Sequence, residues 1–277
     1  MCDYGFGAIP SSKDFRDYKI AASLVQRTVL PESYMLTPTK IKNQGIHLTC
    51  VAHALASLVE FYNLQETGYN YTFSTEFIYG CRKDTDYLGE GMQLRDGLKV
   101  LQKYGDVLYS ELPGNTSVQT ARKKVCKDFD TLVSKAAPNK INTYYKITSL
   151  DEIKYSILQN NPVPAVMKWH KDASVKKDGI YHYSSNEIKN YHAVLIIGWD
   201  KDYLIIQNSW GKLWGKDGLF YVPLNKIQEI FCEFYGVTDS TDHIQKPKQL
   251  INTFGPTLNL ICNIIIKIIK YIRKENI

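Results

Sequence analysis

The sequence lacks the marks of several functional classes. Its six cysteines, Cys2, Cys50, Cys81, Cys126, Cys232 and Cys262, are widely spaced and form no CxxC pair. Neither a metal cluster nor a dense disulfide framework is expected, and free thiols in a reducing compartment are the simplest reading. His47, His170, His182 and His243 fall into no ligand spacing, so no metal and no other cofactor is expected. The opening residues carry neither the basic region nor the apolar run of a secretory signal. The chain is therefore expected to be non-secreted, either intracellular or carried in a virion, and the sequons at Asn70 and Asn115 are not expected to be used. Positive charge is scarce outside the tail. Of the net +6, residues 241–277 supply +4 through Lys246, Lys248, Lys267, Lys270, Arg273 and Lys274 against Asp242 and Glu275. A nucleic-acid-binding body is excluded on that ground. No internal repeat is apparent.

What is present fits a soluble globule of 277 residues, 44% apolar and 22% charged. Residues 1–40 are polar and broken by Pro10, Pro31 and Pro38, and read as a lead-in. CVAHALASLVEFYNL at 50–64 repeats apolar residues at helical spacing behind Thr49 as N-cap, which predicts a largely buried helix starting at or next to Cys50. Shorter helices are predicted at 75–80 behind Ser74, at 93–104 before Gly105, at 121–136, and after Ser149, whose spacing to Glu152 is that of a capping box. After Pro164 the texture changes: 162–168, 191–199, 203–207 and 218–222 read as antiparallel strands separated by glycine-containing turns. The expected class is α+β, with two unlike lobes meeting at a cleft: a helical one at about 45–140 and a β-rich one at about 141–236.

The tail LNLICNIIIKIIKYIRKENI keeps Asn259, Asn263, Lys267 and Lys270 on one helical stripe in an otherwise apolar run. Residues 258–272 as a helix would be about 22 Å long, short of a hydrocarbon core of ~30 Å. Three placements stay open: lying on a membrane surface as a peripheral contact, packing on protein, or a tilted span.

Three segments carry chemistry: NQGIHLTC at 43–50, YHAVLIIGWD at 191–200 and QNSWGKLWG at 207–215. Taken singly, a cysteine opening an apolar helix is an ordinary core thiol and the histidine an ordinary core residue. Taken together, their order is Gln, Cys, His, Asn, Trp, with Gln44 six residues before Cys50, His192 142 beyond it, and Asn208 sixteen after His192. This order and spacing resemble those of the papain-like cysteine peptidases, the family of the cathepsins, from about Gly5 to Tyr235. YGFGAIPSSKDFRDY, FSTEFIYGCRK and GEGMQLRDGLKVLQKYG further resemble a compact branch known from prokaryotes and large DNA viruses, without the long inhibitory propeptide of lysosomal members.

The resemblance implies a two-lobed fold and an endopeptidase of the EC 3.4.22 type that cuts peptides or proteins through a thioester, as a monomer. Cys50 is the implied nucleophile, its thiol acidified by the helix start and by an imidazolium. His192 is its base and then the acid for the leaving amine, and Asn208 orients the ring. Gln44 and the Cys50 N–H face the oxyanion. Trp210 roofs the His192–Asn208 contact. Gly91 is implied to offer backbone bonds to an extended peptide, and Met92, Gln93, Val166 and Ala193 to form the pocket for the second residue before the cut. Glu233 or Phe234 is implied at its floor, with Arg accepted there if Glu233 faces in.

Departures from the family pattern leave other readings open. His47, Leu48 and Thr49 stand where Cys-Gly-Ser is usual, and Leu48 narrows the cleft beside the nucleophile. A catalytically weak peptide-binding protein, or a membrane-associated protein on a peptidase scaffold, remains the alternative. His53, one turn past Cys50, reads as structural or modulatory. Residues 1–36 are a pro-segment if they fold back through the cleft, and a mere covering if they run over the back of the body.

Overall fold

Cys50 opens the longest helix, and the fold is organised around it. The computed structural model describes residues 4–12, 14, 25, 28–82, 89–176 and 178–239, all within the unit Met1–His243; the expectations for 241–277 fall outside these residues. Helix α1 (Cys50–Thr67) is buried from Cys50 to Asn63 on every face, as its nearly unbroken apolar sequence requires. Its polar residues have partners inside: Glu60 pairs with Lys42 and accepts the Phe73 N–H. Helix α2 (Thr75–Gly80) is capped by Ser74, whose hydroxyl accepts the Phe77 N–H at 3.1 Å. Helix α3 (Leu94–Lys103) presses Gly97 against α1, where a β-carbon would lie 2.3 Å from Leu55 Cδ1.

The region predicted as one helix over 121–136 is two, α4 (Val118–Lys127) and α5 (Phe129–Ala136), because Asp128 leaves helical geometry with φ −133° and ψ 38°. Helix α6 (Leu150–Leu158) is capped by Ser149, and Glu152 returns its carboxylate to the Thr148 N–H, one residue earlier than a capping box would. Helix α7 (Ile227–Ile230) is a single turn. Thr49 departs from expectation. It precedes α1 but makes no side-chain cap, and its hydroxyl donates instead to Asn115 Oδ1 at 2.6 Å.

The strands in chain order are β1 (Ala8–Ile9), β2 (Tyr34–Met35), β3 (Met92–Gln93), β4 (Ile141–Ile147), β5 (Val163–His170), β6 (Ser174–Val175), β7 (Tyr181–His182), β8 (Ile188–Trp199), β9 (Tyr203–Gln207), β10 (Leu219–Pro223) and β11 (Phe231–Asp239). The main sheet runs β10-β9-β8-β5-β11-β4, with β2 also paired to β8 and every pairing antiparallel. Strand β8 is buried from His192 to Trp199, with α1 and α6 both packed on it. Its continuous apolar run follows from that cover. The lobes are joined where Tyr62 of α1 donates to the Val237 carbonyl of β11 at 3.1 Å. The fold is thus α+β, a helical part followed by an antiparallel sheet. No helix among the described residues is long and apolar enough to cross a membrane.

The lead-in does two separate things. Near its end, β2 joins the sheet, Leu36 N–H donates to the Ile197 carbonyl and Trp199 Nε1–H donates to the Pro31 carbonyl. At its beginning, β1 lies parallel to β3 in the cleft, with Ala8 opposite Met92 and Ile9 opposite Gln93.

Candidate active site

The two lobes each contribute candidate reactive groups. Cys50 comes from the first position of α1 and His192 from the middle of β8. Asn208 follows β9, and its Oδ1 lies 2.7 Å from His192 Nε2. An amide oxygen only accepts, so Nε2 carries the proton and Nδ1 is left with its lone pair. Trp210 stacks on the imidazole at 4.4 Å between centroids and 26° between planes. This holds the ring and keeps water from the His192–Asn208 bond.

Gln44 is wholly buried and held at three points. Its Oε1 accepts from Ser209 Oγ at 2.6 Å, its backbone N–H donates to the Ser209 carbonyl at 2.8 Å, and its own carbonyl accepts from Asn115 Nδ2 at 2.8 Å. The side-chain amide is thereby aimed, with Nε2 donating to His47 O at 2.8 Å and to Gly5 O at 3.0 Å.

That second acceptor belongs to a strap formed by residues 4–12, which fills the cleft. Gly5 N–H donates to Gly45 O, Gly7 N–H donates to Cys50 Sγ at 3.3 Å, and Met92 N–H donates to Gly7 O at 2.8 Å. Farther along, Ser11 N–H donates to Glu233 Oε1 at 2.9 Å and Arg95 holds Ser12 O at 2.7 Å. On the other side Tyr4 stacks on Trp210 at 4.8 Å. Two glycines make the fit possible. A β-carbon on Gly5 would lie 1.9 Å from His47 O, and one on Gly7 1.8 Å from Leu48 O and 2.7 Å from Leu48 Cα. The narrowing expected at Leu48 is therefore a narrowing by its backbone, met here by glycine.

The strap changes the electrostatics of the pair. Cys50 Sγ receives N–H groups from Gly7 and Ala193, while His192 Nδ1 has no hydrogen-bond partner. Burial pushes the Cys50 thiol up, against the lowering pull of the backbone N–H groups, and holds His192 down at about 4 although Asn208 pulls it the other way. The acidified thiol expected from the helix start is not what this closed cleft contains. With water excluded, thiol and imidazole are both neutral.

His53 lies beneath the site. Its Nδ1–H donates to Thr49 O at 2.9 Å, and burial, helped by the nearby charge of Lys42, holds it down at about 3 although the Thr49 bond pulls it up. The group binds no proton in the fold but takes one in the unfolded chain below its ordinary value near 6.5. Folding stability from His53 is therefore complete above pH 6.5 and falls as the pH drops toward 3. Between pH 6.5 and 4 the loss should be about 3 kcal/mol. Because His192 adds a loss of its own over this range, the His53 contribution is read as a difference: in urea denaturation at pH 7 and pH 4, His53→Gln, which keeps a donor for Thr49 O, should flatten the pH dependence by about 3 kcal/mol relative to the unmodified chain.

The residues assigned to substrate by resemblance come together in part. Val166, Ala193 and Glu233 sit opposite one another across β8, β5 and β11, so their side chains share one face. Glu233 is 3% exposed, and its Oε2 has no partner. Phe234, the next residue along β11, takes the opposite side of the pleat. Met92 and Gln93 line the strap as β3. Gly91 differs from expectation: its N–H goes to Tyr79 Oη and its carbonyl to Arg82, and Met92 supplies the N–H that meets the strap. Two contributors escaped sequence reasoning. Ser209 aims Gln44, and Trp169 touches both Trp210 and His192; a Ser after Asn208 was in plain view inside NSWG, whereas nothing in β5 marked Trp169. The four described cysteines, Cys50, Cys81, Cys126 and Cys232, are all free thiols.

A thiol at a helix start and an amide-oriented imidazole on a strand, supplied by two unlike lobes, define the papain-like class of fold. The chain belongs to the papain family of cysteine proteases, whose model matches residues 31–237. Xylellain, a cysteine protease from Xylella fastidiosa, superposes with a TM-score of 0.72 over 86% of this chain and 97% of its own, at 25% identity. An uncharacterized peptidase C1-like protein of Acanthamoeba polyphaga mimivirus is 26% identical over 240 residues, 77% of this chain and 72% of its own. A cathepsin B-like cysteine proteinase of Caenorhabditis elegans is 41% identical over 85 residues, 28% of this chain. The chain spans about a quarter of the length of the curated cathepsin B-like relatives it matches.

Proposed function

We propose that the chain is a cysteine endopeptidase of the compact papain-like branch, held latent by its own residues 4–12. The observation that carries this reading is that one stretch of peptide backbone already meets both reactive positions: Gly5 O at Gln44 Nε2 and Gly7 N–H at Cys50 Sγ. The site binds extended peptide at the atoms that would perform acyl transfer. The likeness to the bacterial and mimivirus proteins supports the branch.

The chemistry follows from the donors in place. With the strap displaced, water enters, and the thiol proton passes to His192 Nδ1, whose tautomer Asn208 has already fixed. The thiolate adds to the scissile carbonyl, and the oxyanion takes hydrogen bonds from Gln44 Nε2 and the Cys50 N–H. His192 returns the proton to the leaving nitrogen as the C–N bond breaks, leaving a thioester. Water then attacks the thioester with His192 as base, releasing the acid and restoring the thiol.

This assigns the two ends of the cleft. The leaving residues lie beside His192 and Trp210, and the acyl residues beside Met92, Val166, Ala193 and Glu233. Residues 4–6 of the strap lie at the leaving end and residues 8–11 at the acyl end, so the strap runs opposite to a substrate. A chain running in that direction does not present its peptide nitrogens as a substrate's leaving nitrogen would be presented, which accounts for a strap that survives in its own cleft. The unpartnered Glu233 Oε2 suits a basic second residue before the cut, alongside the apolar side chains that Val166 and Ala193 accept.

The alternative, a peptide-binding protein without turnover, is favoured by the same filled cleft, and one experiment separates them. A full chain carrying Gly7→Leu is treated with an epoxide thiol-peptidase inhibitor under reducing conditions and weighed intact. A single adduct on Cys50, lost with His192→Ala, accompanies hydrolysis of a fluorogenic dipeptide substrate. No adduct and no hydrolysis would establish the binding protein.

A further inference from the structure

One strap side chain lies between the two tight glycines, and it reports on a subsite. The Phe6 ring stands 5.6 Å from Trp169, 5.4 Å from Trp210 and 5.7 Å from His192, centroid to centroid. All three distances lie in the range of favourable aromatic pairs, and the contacts to Trp210 and His192 are edge-on. The walls are themselves braced. Trp169 meets Trp210 edge-on at 4.9 Å and Tyr181 at 5.1 Å, and Trp214 meets Trp210 at 4.9 Å. Trp169 projects from β5 two residues beyond Met167, the residue opposite His192. It is 8% exposed with the strap in place.

We infer that Trp169, with Trp210, forms an aromatic box that selects an aromatic side chain on the residue just after the cut, the box that Phe6 fills in the latent chain. This rests on the peptidase reading, because the leaving end is defined by the proton His192 delivers. The first leaving residue carries the nitrogen that His192 protonates, so its side chain starts beside the imidazole, where the Phe6 ring now lies. An aromatic ring gains an edge-to-face contact with Trp210 there and a tilted one with Trp169. An aliphatic side chain gains only area, and a glycine leaves the box empty. A charged side chain would lose water against these rings. Trp169 is thus a specificity-determining residue, and the strap is held closed by the same contact that a preferred substrate would make.

The test uses the full chain opened by Gly7→Leu. Internally quenched peptides identical except for Phe, Leu, Lys or Gly after the cut are compared with a coumarin dipeptide substrate that has no leaving-side residue. Phe should exceed Gly by about 10-fold in kcat/KM. Trp169→Leu, which keeps apolar volume, should bring that ratio to about 2-fold and Trp169→Phe should restore most of it, each ratio being normalised to the same variant's own turnover of the coumarin substrate. A second readout needs no turnover. In the chain with its native strap, Phe6→Ala and Trp169→Leu should each raise the rate of Cys50 alkylation by iodoacetamide, and the double variant should go no further than either. Turnover of the coumarin substrate without a Phe preference, a preference that survives Trp169→Leu, or additive effects on alkylation would each overturn the box, the first two leaving the peptidase reading intact.

Discussion

Replacing Gly7 by leucine in the full chain should raise both the alkylation of Cys50 and the turnover of a fluorogenic dipeptide by at least about 100-fold, the equivalent of roughly 2.7 kcal/mol. The size follows from what the new side chain meets. A β-carbon at Gly7 would lie 1.8 Å from the Leu48 oxygen, 2.2 Å from its carbonyl carbon and 2.7 Å from its Cα. These are backbone atoms immediately before α1, and Thr49, between Leu48 and the helix, is tied to Asn115. No rotamer relieves a clash at the β-carbon. The strap must leave, and the Gln44–Gly5, Met92–Gly7 and Gly7–Cys50 bonds go with it. Access to Cys50 scales with the open fraction, so a closed state favoured by a few kcal/mol hides a hundredfold of reactivity. Gly5→Ala, whose β-carbon would sit 1.9 Å from His47 O, should act in the same direction. Unchanged rates in both variants would mean that the strap leaves the cleft freely and restrains nothing.

The candidate reactive residues were legible because they stand in the order and at the spacings that the family resemblance expects. NSWG alone brings Asn208 to His192, Trp210 onto the imidazole and Ser209 to Gln44 within one short segment. The strap was not legible in the same way. Whether YGFG enters the cleft depends on backbone approaches to His47 and Leu48, some forty residues away, and no local pattern encodes those. A glycine on each side of a single aromatic was the one available signal. The strand pattern failed where strands are not apolar. Strand β4 carries Asn, Thr, Tyr and Lys at the sheet edge, and β11 carries Glu233 and Gly236, so neither shows the run or alternation that marked β8. Phe234 and Glu233 were interchangeable by alignment and are separated only by the pairing of Glu233 with Val166. The reactivity of Cys50 was read from its helix start and a neighbouring imidazolium, whereas in the closed chain burial outweighs the groups that would lower it.

Gln44 offers the sharpest separation of catalysis from latency, because one amide serves both. In the chain opened by Gly7→Leu, Gln44→Ala should lower kcat by about 10²–10³ with little change in KM, the usual cost of one lost oxyanion donor. In the chain with its native strap, the same substitution removes the donor to Gly5 O and so loosens the strap. Alkylation of Cys50 should then rise even as turnover stays low, two readouts moving apart in one protein. Gln44→Glu should push both further, since a carboxylate would face the Gly5 carbonyl in the latent chain and the oxyanion in the transition state. The Ser209 hydroxyl and Asn115 hold the residue from the other side, so the side chain is not free to turn the charge away. A fall in turnover without any rise in alkylation would assign Gln44 to the oxyanion alone and return the hold on the strap to Met92 and the aromatic end of the cleft.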